Sequence, residues 1–92
     1  MAMERQYTIR LFGKVQGVWF RKSTKELADK LGITGVVTNE EDGSVYIVAK
    51  GQEEALNELL RFCGSGPEQA VVNQMFVEEE EEKADFSGFN VL

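Results

Sequence analysis

The chain contains no histidine, one cysteine (Cys63) and one proline (Pro67) among its 92 residues. Without histidine, the commonest acid–base group at neutral pH is missing. With a single thiol as well, almost no zinc site can be built. One cysteine excludes an internal disulfide and fits a reducing compartment, so a cytoplasmic location is expected. No apolar run approaches the roughly 20 residues of a membrane span. The start, Met1-Ala2-Met3-Glu4-Arg5, has no signal-peptide core. Cations are few: Lys plus Arg number 10 against 16 Asp plus Glu, a formal net charge of −6. Five of those acids form the run Glu78 to Glu82, so the acidity is one segment and not a global field. A basic footprint for a phosphate backbone is absent, and neither a nucleic acid nor a membrane is expected as partner.

What is present is an ordinary apolar share of 42%, enough for one well-filled core in a single domain spanning residues 1–92. Gln6 to Phe12 alternates, with Tyr7, Ile9 and Leu11 on one face and Thr8, Arg10 and Phe12 on the other, which predicts a strand. After a loop, Phe20, Thr24, Leu27, Ala28 and Leu31 recur at helical spacing, and Gly32 is placed to stop the helix. Thr34 to Asn39 reads as a second strand. Glu40-Glu41-Asp42-Gly43 is a hairpin signal, and Ser44 to Lys50 a third strand broken by Gly51. Gln52 to Cys63 is amphipathic, with Ala55, Leu56, Leu59, Leu60 and Cys63 on its apolar side. Gly64-Ser65-Gly66-Pro67 ends it. Ala70 to Val77 is a fourth strand. Phe86 to Val91 is either a short fifth strand or a docked terminal segment. The order strand, helix, strand, strand, helix, strand predicts a split βαβ, ferredoxin-like α+β sandwich: an antiparallel sheet in the order 4-1-3-2 with both helices on one face.

The loop Gly13-Lys14-Val15-Gln16-Gly17-Val18-Trp19-Phe20 runs into a helix N-terminus, where unpaired N–H groups and the macrodipole favour an anion. Gly17 frees the backbone, and Arg21 stands where its guanidinium can grip the same anion bidentately. A phosphate is the natural guest. From spacing alone the plainer alternative, a capped turn with a solvated Arg, is the better reading. Asn39, at the end of the second strand, reads first as a turn residue bonding its own backbone. Cys63 reads as a buried structural thiol, since no Arg follows it as in phosphatases with a cysteine nucleophile. Glu78 to Glu82 reads as a solvated run at a strand end or turn and not a cation site. Trp19 is expected to pack under the loop, the alternative being that it lines the site entrance, and Lys14 to be a surface residue or a source of positive potential at the mouth.

Val15-Gln16-Gly17-Val18-Trp19-Phe20-Arg21 resembles the first signature of the acylphosphatases, in which Val-Gln-Gly-Val leads into an aromatic residue and an Arg. Gly35-Val36-Val37-Thr38-Asn39-Glu40-Glu41-Asp42-Gly43-Ser44-Val45, with Gly51 beyond it, resembles the second. Gly66-Pro67 with Ala70 and Val72, and Phe86-Ser87-Gly88-Phe89, are similar to the later segments of that family, so the resemblance spans nearly the whole chain in order. Val36 stands where the family usually has an aromatic, and Thr38 where a basic residue is frequent. The resemblance implies the same ferredoxin-like fold and hydrolysis of the carboxyl–phosphate mixed anhydride. It implies that Arg21 binds the phosphate, that Asn39 orients the attacking water, and that the amides of Gln16, Gly17, Val18, Trp19, Phe20 and Arg21 form the cradle.

That chemistry is consistent with what the sequence lacks. A carboxylate leaves without a general acid, and phosphoryl transfer asks mainly for positioning and charge stabilisation. One Arg and several N–H groups supply both, so neither metal nor cofactor is expected. A neutral amide at position 39 aims water without repelling the phosphate. The expected partner is a small-molecule acyl phosphate, and nothing demands more than a monomer. The rival expectation is a non-catalytic module that binds phosphate without turnover.

Overall fold

The computed structural model describes residues 4–81 and 83–92. Five strands and two helices follow one another as β1 (Glu4–Lys14), α1 (Phe20–Leu31), β2 (Thr34–Asn39), β3 (Val45–Gln52), α2 (Glu53–Ser65), β4 (Val71–Glu79) and β5 (Phe89–Val91). The sheet order is β4-β1-β3-β2-β5. The first four strands pair antiparallel in the order expected. The terminal segment does form a fifth strand, and it pairs parallel to β2, so the sheet is mixed.

Alternation in the sequence becomes alternation across the sheet. Ile9 pairs with Ile47, Ile47 with Val37, and Leu11 with Val45. All five side chains are fully buried. Onto this band α1 sets Phe20, Thr24 and Ala28, and α2 sets Leu56, Leu59 and Cys63. Phe20 meets Phe62 edge-on at 5.7 Å between ring centroids, which joins the two helices over the sheet. Each fully buried large side chain contributes about 1.5–3 kcal/mol. The Cys63 thiol lies in this layer, where burial pushes its pKa up to about 12, as befits a structural thiol.

Helix α1 ends where Gly32 takes a left-handed conformation (φ 70°). Its N–H reaches the Asp29 carbonyl, and the Ile33 N–H reaches that of Ala28, a Schellman closure. Three strands run longer than expected, β1 reaching from Glu4 to Lys14 and β3 and β4 passing their expected ends. Gly51 does not break β3, because it pairs with Arg5 of β1, and a Cβ there would stand 3.2 Å from Ile33 Cγ1. Strand β4 extends past Val77 because Glu78 and Glu79 pair with Thr8 and Tyr7 of β1. The Glu79 carboxylate also receives Arg5 Nη1 at 2.8 Å. Glu80 follows the strand and Glu81 lies in a bend, so the described part of the acidic run is a strand end; Glu82 lies outside the described residues.

Candidate active site

The segment between β1 and α1 is held from below. Val15 and Val18 are buried, so their side chains anchor the loop while Gly17 and Trp19 stay outside. Gly17 has φ 74° and Trp19 φ 65°, and these two left-handed residues curl the backbone around its own amides. Trp19 is the residue before the first helical turn. Its carbonyl accepts from the Ser23 N–H, its side chain caps nothing, and the first turn carries no acid. Among the described residues, no N–H from Gln16 to Lys22 donates to a protein acceptor. The result is a concave row of unpaired donors at the positive end of a helix, the arrangement that binds anions.

Gln16 connects this loop to the hairpin. Its Nε2 donates to the carbonyls of Glu40 (2.8 Å) and Ser44 (2.9 Å), on the turn that immediately follows Asn39. The turn is closed from within by Glu40 N–H to Ser44 carbonyl (2.9 Å) and by Asp42 Oδ1, which accepts the Ser44 N–H at 2.9 Å. The side-chain and backbone hydrogen bonds from Ser44 hold the Asp42 carboxyl below its ordinary pKa. A single glutamine side chain therefore ties the end of β2 to the cradle, although β3 lies between β1 and β2 in the sheet.

Arg21 is brought in from the other side. Its Nη1 donates to the Leu92 carbonyl at 2.9 Å, and the Leu92 N–H donates to Val37, two residues before Asn39 on β2. The remaining guanidinium donors are left for a ligand. Arg21 and Asn39 line one cavity of about 460 Å³, together with Gly17, Trp19, Lys22 and Lys25. That volume falls within the range of about 300–1,000 Å³ usual for small-molecule sites. Asn39 Oδ1 is buried and has no hydrogen-bond partner among the described residues. A buried acceptor without a partner is uncommon, so the protein itself leaves the Asn39 carboxamide unsatisfied.

The structure thus brings Arg21, Asn39, Gly17, Trp19 and Phe20 to one cavity, whereas Gln16 and Val18 do not line it. For Trp19 the alternative holds, since it lines the cavity. It does not pack under the loop but is 70% exposed, because its left-handed backbone turns the indole outward while Val18 and Phe20 take the inward positions. Lys14 does not line the cavity. Lys22 and Lys25 do, and sequence reasoning missed both. For Lys25 a signal existed, since it stands one helical turn after Arg21 and shares its face. The side-chain role of Gln16 and the contribution of Val91 and Leu92 carried no local signal.

A sequence model described as Acylphosphatase matches residues 7–91. An acylphosphatase of Rubrobacter xylanophilus is 42% identical over 87 residues, covering 95% of this chain and 79% of that protein. The structure of an acylphosphatase from Coxiella burnetii superposes with a TM-score of 0.92 at 37% identity, over 97% of this chain and 93% of that one. The Bacillus subtilis acylphosphatase structure gives a TM-score of 0.92 at 34% identity, over 98% and 99%. Two signatures in one cavity, a fold that superposes end to end and identity of this extent leave one assignment: the chain belongs to the acylphosphatase family.

Proposed function

We propose that this protein is an acylphosphatase that hydrolyses the carboxyl–phosphate bond of small acyl phosphates, with Arg21 and Asn39 as its catalytic residues. The phosphoryl group sits in the loop of Gln16, Gly17, Val18, Trp19, Phe20 and Arg21, where the N–H groups and the guanidinium share its oxygens. These donors meet negative charge on a tetrahedral phosphorus and need no rearrangement when it grows in the transition state. A water donates one hydrogen to Asn39 Oδ1 and is thereby aimed along the line opposite the leaving group. Its oxygen bonds to phosphorus, the bond from phosphorus to the acyl oxygen breaks, and the carboxylate departs with the electron pair. The water's proton passes to a phosphoryl oxygen, so no side-chain base takes part. The carboxylate is a weak base and needs no proton to leave.

The observation that carries this reading is the shared cavity of Arg21 and Asn39 at the uncapped start of α1. Release of inorganic phosphate from benzoyl phosphate by the purified protein, with EDTA present, tests it. Turnover well above the spontaneous rate is expected. Binding of phosphate without turnover would make the protein a phosphate-binding module instead. We further propose that it acts as a monomer in the cytoplasm; a free, buried thiol and net negative charge suit both.

A further inference from the structure

The cavity is larger than its phosphate cradle, and its charge is of one sign. Arg21, Lys22 and Lys25 line it, and among the described residues no Asp or Glu does, in a protein with 16 acids to 10 cations. The three cations differ in what they already hold. Lys25 is engaged twice, by Asp29 Oδ2 at 3.1 Å and by the Phe89 carbonyl at 2.8 Å. Arg21 gives one donor to the Leu92 carbonyl. Lys22 forms no ion pair among the described residues, and its ammonium lies 5.5 Å from the centroid of the Trp19 ring. Arg21 and Lys22 are consecutive on the helix, so they point about 100° apart and serve different parts of the cavity. Trp19 is an exposed indole held in a left-handed conformation, which disfavours any residue with a Cβ. Backbone strain of this kind collects at functional sites.

We propose that Trp19 and Lys22 form the subsite for the acyl half of the substrate, and that the preferred substrates are acyl phosphates whose acyl group carries a second anion, a carboxylate. This rests on the reading of the cavity as an acyl phosphate site. The phosphoryl group occupies the cradle, the body of the acyl group lies along the indole, and the remote carboxylate meets the Lys22 ammonium.

The test compares 4-carboxybenzoyl phosphate with 4-methylbenzoyl phosphate. The two are alike in size, and the rigid ring keeps the carboxylate from attacking its own acyl carbon. The quantity read is the ratio of their kcat/KM values at low ionic strength, in which any general loss of activity cancels. In the parent the carboxylated substrate should be favoured. Lys22→Met should lower the ratio about fivefold, mostly through KM, and Lys22→Arg should restore most of it. Raising the salt should shrink the parent ratio as well. An equal ratio in the parent and Lys22→Met would overturn the subsite. Failure of the parent to hydrolyse either compound would instead overturn the acyl phosphate reading itself.

Discussion

The two helices begin in opposite ways. Helix α2 follows Gln52 in an extended conformation, and its first turn carries Glu53 and Glu54. Each such carboxylate at the positive end of a helix contributes about 0.3–1 kcal/mol when exposed. Helix α1, of nearly equal length and like α2 without a side-chain cap bond, follows a tryptophan with positive φ and carries Arg21 and Lys22 in the first turn, where α2 carries acids. Two cations at the positive end of a dipole oppose helix formation. Both helices lie on the same sheet, so the fold does not require the difference. The α2 start meets its dipole with its own acids, whereas the α1 start sets cations against it, and local rules are broken in this way mainly at functional sites.

The sharpest way to break the comparison is at the residue facing the α1 start. Asn39→Ala removes the water's acceptor while leaving the donor row and Arg21 in place. Turnover of benzoyl phosphate should fall roughly 10²–10³-fold, the effect of deleting one transition-state partner, while inorganic phosphate still inhibits at nearly its former concentration. The corresponding change at the other helix, Glu53→Gln, should leave kcat at the parent value and remove only the exposed contact with Arg5. A parent rate in Asn39→Ala would show that the open donors of α1 do not work together with β2.

Arg21→Lys is the next largest. Lysine keeps the charge but loses the planar fork, and it cannot hold the Leu92 carbonyl and two phosphate oxygens together. Loss of one charge-assisted bond of about 1.5–3 kcal/mol lowers kcat/KM roughly 10- to 100-fold, with KM and kcat both affected. Steady-state kinetics on benzoyl phosphate reads this. If KM alone rose, the guanidinium would bind the ground state and the transition state equally.

Much of this architecture was legible in the chain. The limits of β2 at Thr34 and Asn39 and the stop at Gly32 followed from β-branched residues and from glycine, because both signals are local. The ends of β3 and β4 were not legible. Gly51 stays in a strand and Glu79 joins one because β1 supplies partners from far along the sequence. The site divides in the same way. Arg21 and Asn39 could be named from motif resemblance, but their meeting depends on Gln16, whose bonds span 24 and 28 positions. The outward turn of Trp19 depends on the sign of φ at a residue type that seldom adopts it, which no residue pattern encodes.

Gln16→Ala therefore probes the link between the two regions and not either region itself. The carbonyls of Glu40 and Ser44 each lose one of two donors in a half-buried place, keeping only a backbone N–H. Stability should drop by about 1–3 kcal/mol, read as a lower midpoint in urea with an unchanged slope. Turnover should drop about tenfold, because Asn39 is aimed less well. An unfolding midpoint that moved without any change in kcat would mean that the hairpin holds Asn39 unaided.

The smallest effect makes α1 begin as α2 does. Lys22→Glu places a carboxylate in the first turn, three residues after Trp19, where it can reach back to the unpaired donors. The helix start should gain about 0.3–1 kcal/mol. At this chain length that raises Tm by a few degrees. The same carboxylate meets the incoming phosphate with like charge, so inhibition by inorganic phosphate should weaken at low salt and partly recover at high salt. Stability and anion affinity would then move in opposite directions through one residue. A variant with a lower Tm and unaltered phosphate inhibition would show that the open start of α1 is a feature of the fold and not of the site.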